Sequence, residues 1–284
     1  MKLPRLSVLM TVYNAESYLG AALESLSSQT FHDFEVVVLE HGSTDNSLEI
    51  LNNWGDQRLN LETREVNIGR THALNSCLMR SSGDYIAILD ADDLAFTQRF
   101  AIQTEFLTSH PSIGLVGSWT KIIDDSGNSI GSLHPPKSHE MLIRQMAVRS
   151  PIAHSSYMFR RKVALEIGGY DSTYAYAQDF NLLIEFTKRT RIAVIDRELC
   201  SWRRSNTGLT FLSAISVTRA YDEYRLFKKV STDIKLDSKS YLLNKKQIFV
   251  AYVFLQIELL RKGIYKSAYR WIRDFEHNAC PKSH

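Results

Sequence analysis

The sequence lacks a marked excess of charge of either sign. Its 34 lysines and arginines stand against 31 aspartates and glutamates, which leaves a formal net charge of +3 over 284 residues. A balance this small gives no reason to expect nucleic acid as a partner, because binding to phosphate backbones needs a concentrated positive field. The apolar and charged fractions, 44% and 23%, are those of an ordinary globular protein.

Cysteines and long apolar runs are also scarce. Cys77, Cys200 and Cys280 lie far apart without C-x-x-C spacing, so neither a disulfide framework nor a zinc site is predicted and a reducing compartment is expected. The longest apolar run, Ile248 to Leu260, is too short to cross a bilayer, and the first residues lack the features of a signal peptide. We therefore expect a cytoplasmic protein.

Strand-like and helix-like segments alternate from the start of the chain to Leu89. Apolar strands are predicted near residues 6–12, 34–39, 59–66 and 85–89, with amphipathic helices between them. This alternation predicts a mostly parallel α/β sheet with helices on both faces. Ligands bind such sheets at the carboxyl ends of the strands. Four polar loops fall there: Tyr13-Asn14, Glu40-His41, Asn67–Gly69 and Asp90–Asp93.

The pattern changes after residue 113. A hairpin is predicted from 115–123 and 129–133, followed by helices near 140–148, 162–167 and 179–188 and by strands near 156–159, 192–195 and 199–202. Beyond about Phe211 the chain becomes helical and basic, which predicts a C-terminal helical extension over 212–284.

Three carboxylates follow the strand that ends at Leu89. Asp90, Asp92 and Asp93 are so close in sequence that their charges repel unless a cation or a proton intervenes. Hard oxygen ligands suit Mg²⁺ or Mn²⁺, which bind through one or two carboxylates together with substrate phosphates. An acidic helix N-terminus is the alternative without metal. The residues alone leave both interpretations open.

An ordered series of motifs resembles the family 2 glycosyltransferases. The series comprises Ser7–Asn14, Gln29–Glu35, Gly42–Ser47, Asn67–Gly69, Ala73–Asn75, Leu89–Asp93, Ile152–His154, Met158–Arg161 and Gly168–Asp171. The resemblance implies a Rossmann-like GT-A fold and inverting transfer of a hexose or N-acetylhexosamine from a nucleotide-sugar, with UDP-sugars favoured, to an acceptor hydroxyl. It also implies a role in surface glycan assembly (lipooligosaccharide, capsule or O-antigen).

The resemblance divides the chain and places the donor. A catalytic domain over residues 1–211 would have a nucleotide-binding half (1–113) and an acceptor-binding half (114–211). Base and ribose would be held by Thr11, Val12, Tyr13, Asn14 and Glu40, with Tyr13 near the uracil. In the motif Asp90-Ala91-Asp92, both aspartates would hold Mn²⁺ or Mg²⁺ against the diphosphate. Further donor contacts are expected from Asn67, Gly69, Arg70, Asn75 and Arg203.

An inverting transfer also needs a carboxylate that takes the proton of the acceptor hydroxyl. In similar sequences it follows a Gly-Gly-Tyr-Asp turn, and the corresponding place here reads Ala177-Gln178-Asp179. Asp179 is therefore the predicted base. The alternative role for Asp179 is the N-cap of the helix 179–188.

Several positions depart from the family pattern. His41 replaces the second of two aspartates, and Ser205 stands where similar proteins carry a histidine that reaches the metal or diphosphate. His154 is then either a substitute metal ligand or a buried, hydrogen-bonded histidine. Arg70 is either a diphosphate contact or a solvated arginine.

These departures keep a second interpretation open, a degenerate GT-A protein that binds nucleotide or a partner without turnover. A third interpretation is a phosphohydrolase with a nucleophilic aspartate at Asp90-x-Asp92. It is disfavoured because Leu94 stands where that chemistry expects serine or threonine.

The segment 241–275 interleaves basic and aromatic residues, which predicts two amphipathic helices broken near Gly263. Their apolar face either packs on the catalytic domain, forms a homodimer, or lies at the inner face of the plasma membrane. Membrane contact would imply a lipid-linked glycan as acceptor, in place of a free glycan.

Overall fold

The structure is a computed structural model that describes residues 3–205 and 216–261. Its strands are β1 (Leu6–Val12), β2 (Phe34–His41), β3 (Leu59–Arg64), β4 (Tyr85–Ile88), β5 (Leu94–Ala95), β6 (Ile113–Ile123), β7 (Ser129–Leu133), β8 (Met158–Arg160) and β9 (Arg191–Arg203). Its helices are α1 (Glu16–Ser27), α2 (Ser47–Asn53), α3 (Arg70–Arg80), α4 (Arg99–Ser109), α5 (His139–Met146), α6 (Arg161–Glu166), α7 (Gln178–Thr187), α8 (Val217–Asp233) and α9 (Ser238–Arg261), with a 3₁₀ turn at His154–Ser156.

All the strands belong to one sheet, in the order β3-β2-β1-β4-β8-β6-β9-β5, with β7 paired to β6. The first four strands are parallel, and β8 joins β4 and β6 in antiparallel pairing. The parallel sheet predicted from the sequence is confirmed, and the same sheet continues into the second half of the chain. Because the strand order reverses at β1, the carboxyl ends of β1, β2 and β4 border the crevice where open α/β sheets bind ligands.

The side chains of β1 alternate between two hydrophobic cores. Leu9 belongs to the core formed with α3, α7 and α8, whereas Val8 and Met10 belong to the core formed with α1, α2 and α4. All three side chains are fully buried. Burial on both sides explains the unbroken apolar sequence of β1, and it confirms the prediction of helices on both faces.

β9 corrects the prediction of two separate strands near 192–195 and 199–202. The polar stretch Asp196–Glu198 resembles a turn, but β9 pairs with β6 on both sides of it, with irregular register around Trp119. The irregularity lets these polar residues reach solvent without ending the strand.

α4 lies in a stretch, 94–113, that the sequence patterns left unassigned. Its buried face carries Arg99, Gln103 and Thr104 beside Phe100 and Leu107. Because polar residues interrupt the apolar stripe, the helical period is hidden. Arg99 is fully buried, and its guanidinium donates to Gln103 Oε1 at 2.9 Å and to the carbonyl of Ile88 at 2.9 Å.

α8 and α9 form the described part of the C-terminal extension. Leu226 and Val230 of α8 and Ala251 of α9 join the core of α7, while Leu255 and Leu259 pack in a smaller cluster with α8. One face of the extension therefore packs on the preceding domain. The predicted domain boundary near 211 and the predicted helix break near Gly263 lie outside the described residues. Within 3–205 and 216–261, no helix combines the length and the hydrophobicity needed to cross a membrane.

Candidate active site

Side chains tie the loop after β1 to the loop after β2. Asn14 has a left-handed backbone (φ 49°), its amide donates to Ser43 Oγ at 3.0 Å, and its side-chain oxygen accepts from the Thr44 amide at 2.8 Å. Glu40, which is 3% exposed, accepts from the Ser43 amide at 2.6 Å. The structure thus brings the predicted residues Thr11 to Asn14 and Glu40 together along one edge of the crevice.

Tyr13 covers His41 at this edge. Their rings stack with centroids 5.7 Å apart and an interplanar angle of 24°, and Tyr13 is 44% exposed whereas His41 is 4% exposed. Burial lowers the pKa of His41, although a hydrogen bond with Asn67 and the charge of Glu40 oppose the shift. The exposed face of Tyr13 is therefore backed by a neutral imidazole, an arrangement that suits stacking on a nucleobase.

We expect His41 to make the fold sensitive to acid. Because burial lowers its pKa below the ordinary 6.5, the unfolded chain binds a proton at a higher pH than the folded chain. The contribution of neutral His41 to stability is present above pH 6.5 and is lost as the pH falls toward the folded pKa. Urea unfolding of wild type and His41→Asn between about pH 5 and about pH 8 measures this effect. The wild type should lose more free energy of unfolding on acidification, and parallel pH profiles would contradict this expectation.

Asp90 is held by a partly buried polar network. Arg70, the first residue of α3, places Nη2 at 2.5 Å from Asp90 Oδ2 and at 3.2 Å from His154 Nδ1. His154 Nδ1 also lies 3.5 Å from Asp90 Oδ1, and His154 Nε2 lies 2.9 Å from the Tyr170 hydroxyl. Burial by itself would raise the pKa of Asp90, but Arg70 and His154 together hold it well below its usual range.

This network decides two questions that the sequence left open. Arg70 is ion-paired, so it is not a solvated arginine. His154 is 8% exposed and uses both ring nitrogens. It is therefore the buried, hydrogen-bonded histidine that we named as the alternative to a metal ligand. In this arrangement its ring nitrogens have no lone pair left for a metal.

Asp92 and Asp93 have different surroundings although they are neighbours. Asp93 is 1% exposed and accepts from the Arg203 amide at 2.7 Å. Asp92 is half-buried and forms no ion pair among the residues that the structure describes. Burial and the charge of Asp90 raise the pKa of Asp92 to about 6. A carboxyl group in this situation is stabilised as an anion by a nearby cation.

The chemistry of these oxygens fits a divalent cation. Among residues 3–205 and 216–261, no group of three or more His, Cys, Asp or Glu side chains could hold a metal alone. Mg²⁺ and Mn²⁺ do not require such a group when substrate phosphates complete the coordination. Within the described residues Asp92 has no direct ion-pair partner, although the charges of Arg70 and Arg203 act on it, whereas Asp90 is paired with Arg70.

Arg203 requires a correction. The sequence predicts a contact with the nucleotide-sugar, but Arg203 is 6% exposed. Its Nε donates to the backbone carbonyl of Asp92 at 2.9 Å, and its Nη1 donates to the carbonyls of Asp124 at 2.7 Å and Asp125 at 3.1 Å. Arg203 therefore joins the Asp92 loop to the β6–β7 turn in place of binding phosphate.

We expect Arg203→Gln to lower the free energy of unfolding by about 3 kcal/mol, since buried carbonyls lose their donor. Arg204→Gln is the matched control, because Arg204 is exposed and its replacement should change stability by less than about 0.5 kcal/mol. Urea unfolding measures both variants. Equal stability of the two would show that Arg203 does not brace the loop.

Asn75 requires a second correction. Its side-chain amide donates to the Tyr170 carbonyl at 2.7 Å and accepts from the Tyr170 amide at 2.8 Å. The preceding Gly169 has φ +73°, and a Cβ there would approach Asn75 Oδ1 to 2.6 Å. Asn75 therefore positions the Gly168–Asp171 turn and does not supply the predicted nucleotide contact. Asn67 and Gly69 form an exposed turn before Arg70, in which Asn67 Oδ1 accepts from the Gly69 amide at 2.8 Å.

Asp179 lines an open cavity of about 440 Å³. α7 begins at Gln178 after an N-cap at Ala177, so the alternative role of Asp179 as N-cap is wrong. Arg70 lines the same cavity. Burial by itself lowers the pKa of Arg70, but the charges of Asp90, Asp179 and Asp92 raise it above its ordinary value. The predicted base and the Arg70–Asp90 pair therefore belong to one site.

The cavity is also lined by side chains that no sequence pattern selects. Arg149 follows α5, Arg219 and Glu223 belong to α8, and Gln247 belongs to α9. They come from three separate parts of the chain and share no motif. Tertiary packing alone brings them to Asp179.

The comparisons with known proteins give a consistent result. The family described as "Glycosyl transferase family 2" matches residues 7–168. An uncharacterized glycosyltransferase of Methanocaldococcus jannaschii is 30% identical over 232 residues, which cover 80% of this chain and 79% of that protein. A UDP-Gal:alpha-D-GlcNAc-diphosphoundecaprenol beta-1,3-galactosyltransferase of Escherichia coli is 28% identical over 187 residues, which cover 64% of this chain and 67% of that protein.

Solved structures show the same fold. TarS of S. aureus in complex with UDP-GlcNAc superposes with a TM-score of 0.68 at 20% identity, over 89% of this chain and 72% of that chain. A mannosyltransferase, PcManGT from Pyrobaculum calidifontis in complex with GDP-Man and Mn²⁺, superposes with a TM-score of 0.63 at 17% identity, over 99% and 82% respectively. The predicted GT-A architecture is confirmed.

Proposed function

The chain belongs to glycosyl transferase family 2, and from this we propose that it transfers a sugar, with inversion at the anomeric carbon, from a nucleotide-sugar to an acceptor hydroxyl. Glycosyltransferase activity in polysaccharide biosynthesis follows from the family and its relatives. The observation that carries the inverting mechanism is the cavity in which Asp179 lies beside the Arg70–Asp90 pair.

A UDP-sugar is the proposed donor, with a hexose or an N-acetylhexosamine as the transferred group. The exposed ring of Tyr13 over His41 offers a stacking surface for the base, next to Glu40. Two proteins similar to this chain support the choice, since one is named for UDP-Gal and the other is solved with UDP-GlcNAc. Arg70 is suited to the diphosphate because it lines the cavity from the start of α3 and carries a planar set of donors.

Mn²⁺ or Mg²⁺ is the proposed cofactor, held by Asp92 and Asp90. The similarity to a mannosyltransferase solved with Mn²⁺ supports this choice. When bound, the cation would neutralise negative charge on the diphosphate leaving group. Asp93 stays outside this set because its carboxyl group is committed to the Arg203 amide.

Asp179 is the proposed base. Its carboxylate takes the proton of the acceptor hydroxyl while that oxygen forms a bond to the anomeric carbon. The bond between the anomeric carbon and the β-phosphate oxygen breaks, and the nucleoside diphosphate leaves with the electron pair. Attack opposite to the leaving group inverts the anomeric configuration.

The acceptor is proposed to be a glycan or a lipid-linked glycan of the cell surface, and the protein to work in the cytoplasm at the membrane. The outward face of α9 supports peripheral membrane contact: Leu242, Phe249 and Ile257 are 68%, 67% and 53% exposed. Lys239, Lys245 and Lys246 lie on the same helix, and lysines beside exposed apolar side chains suit contact with an anionic lipid surface. A homodimer through this face is the alternative.

Release of nucleoside diphosphate tests the proposed activity. UDP-, GDP- and dTDP-sugars are incubated with the chain and Mn²⁺, with and without a lipid extract of bacterial membranes as a source of acceptor. One donor should be consumed, faster when the extract is present. No consumption of any donor would contradict a transferase.

A further inference from the structure

The cavity at Asp179 continues as a groove between α8 and α9. A second cavity of about 340 Å³ lies along these helices and shares Arg219, Glu223, Phe227 and Gln247 with the first. Beyond the shared residues its wall is apolar, formed by Ala220, Val250, Ala251 and Phe254. The two cavities form one groove. Asp179 lies at its inner end, and apolar side chains line its outer end.

The inner end of the groove carries one arginine, Arg149, that has no acidic partner among the described residues. Arg70 is paired with Asp90, and Arg219 lies 3.1 Å from Glu223. Arg149 forms no ion pair in the part of the chain that the structure describes. With the Gln145 side-chain amide oriented so that its oxygen faces the guanidinium, Arg149 donates to that oxygen at 2.9 and 2.6 Å. An exposed guanidinium beside two neutralised pairs favours an anionic group there.

The outer end of the groove opens onto an exposed apolar surface. Val250 and Phe254 line the groove and are 50% and 38% exposed. One turn beyond Phe254 on the same helix, Ile257 is 53% exposed. Exposed apolar surface that continues out of a cavity is typical of a binding site for an apolar ligand or a membrane. A hydrocarbon chain leaving the groove would therefore stay in contact with apolar side chains.

We propose that this groove binds the acceptor, and that the acceptor is a sugar linked through phosphate or diphosphate to a hydrocarbon chain. The sugar hydroxyl would lie at Asp179, the phosphate at Arg149, and the hydrocarbon between α8 and α9 against Phe227, Val250 and Phe254. This inference rests on the proposed function, since it assumes that Asp179 activates an acceptor hydroxyl. It gives the C-terminal extension a role in selecting the acceptor.

Calorimetric titration with farnesyl diphosphate tests the groove. Saturating UDP and Mn²⁺ are added to the full-length chain first, so that the probe cannot occupy the donor site. Farnesyl diphosphate should bind, and Arg149→Gln and Phe254→Glu should each weaken it by about tenfold. Phe249→Glu is the matched control, because Phe249 is on the same helix but lines neither cavity. Its effect should stay within about twofold.

UDP binding in the same variants separates folding from recognition. Each variant should bind UDP as the wild type does, which shows that the fold is intact. Absence of farnesyl diphosphate binding in a chain that binds UDP would overturn the groove and leave the transferase standing, as would equal affinities in Phe254→Glu and Phe249→Glu. A wild type that does not bind UDP would contradict the proposed function itself.

Discussion

Replacement of Asp179 by asparagine should reduce transfer by at least about 100-fold, since a general base contributes about 100- to 10,000-fold. The amide keeps the size of the side chain but cannot accept the proton of the acceptor hydroxyl. Asp179 does not cap α7, so the helix should form normally in the variant. Release of nucleoside diphosphate in the presence of acceptor measures the loss, and thermal unfolding with donor and Mn²⁺ should show that donor binding is retained.

Asp196→Asn is the matched control for this variant. Asp196 is 51% exposed in an ion pair with Lys137, on the strand β9 and outside the cavity. The same chemical change there should leave transfer within about twofold of wild type. Transfer by Asp179→Asn at the rate of Asp196→Asn would remove Asp179 from its role as base and direct attention to the other acid in the cavity, Glu223.

The second large effect is expected at the cation site. Asp92→Asn should weaken Mn²⁺-dependent binding of the donor nucleotide by at least about 100-fold, since loss of residues that merely support metal ligands already costs about 10- to 100-fold. In the part of the chain that the structure describes, Asp92 forms no ion pair whereas Asp90 is paired with Arg70, so the Asp92 carboxylate is the more available of the two to a cation. Calorimetric titration of UDP with Mn²⁺, compared with the same titration in EDTA, measures the loss.

Asp93→Asn distinguishes a direct ligand from its neighbour. Asp93 accepts from the Arg203 amide through Oδ1, and asparagine retains an acceptor oxygen at that position. Burial raises the pKa of Asp93 well above its usual range, so the buried site disfavours a negative charge and should tolerate an uncharged amide. Mn²⁺-dependent UDP binding should therefore survive in Asp93→Asn. Equal losses in the two variants would mean that the loop as a whole, and not the Asp92 carboxylate, is required.

The fold was predictable where one physical rule dominates. β1 and β2 are buried on both sides, so they appear as unbroken apolar runs, and their polar ends mark the crevice. Prediction was wrong or silent where packing overrides pattern. β9 continues through Asp196–Glu198 because β6 pairs with both of its ends. α4 was not predicted because its buried face carries the polar pair Arg99 and Gln103, which hydrogen-bond each other inside the core.

The same distinction applies to the residues of the candidate site. The positions of Glu40, Asp90 and Asp92 follow from strand ends, which sequence patterns locate well. Arg203 and Asn75 belong to recognisable motifs, yet a motif cannot tell a ligand contact from a bond to the backbone. The structure shows the latter for both.

The acceptor side offered no comparable signal. Arg149, Arg219 and Gln247 come from three elements that only tertiary packing brings together. In the sequence, an arginine that lines the cavity cannot be distinguished from any other surface arginine. Sequence patterns therefore reveal the donor half of such a site more readily than the acceptor half.

The most direct test is thermal unfolding of the chain with a panel of UDP-, GDP-, dTDP- and CMP-sugars, in Mn²⁺ and in EDTA. A donor at 100 times its Kd adds about 2.7 kcal/mol to the folded state, which corresponds to a rise in Tm of about 5 °C for a chain of this size. One UDP-sugar should produce this rise in Mn²⁺, and the rise should disappear in EDTA and in Asp92→Asn. No rise with any nucleotide-sugar, with or without Mn²⁺, would contradict a donor site at this crevice and favour a protein of this fold that does not catalyse transfer.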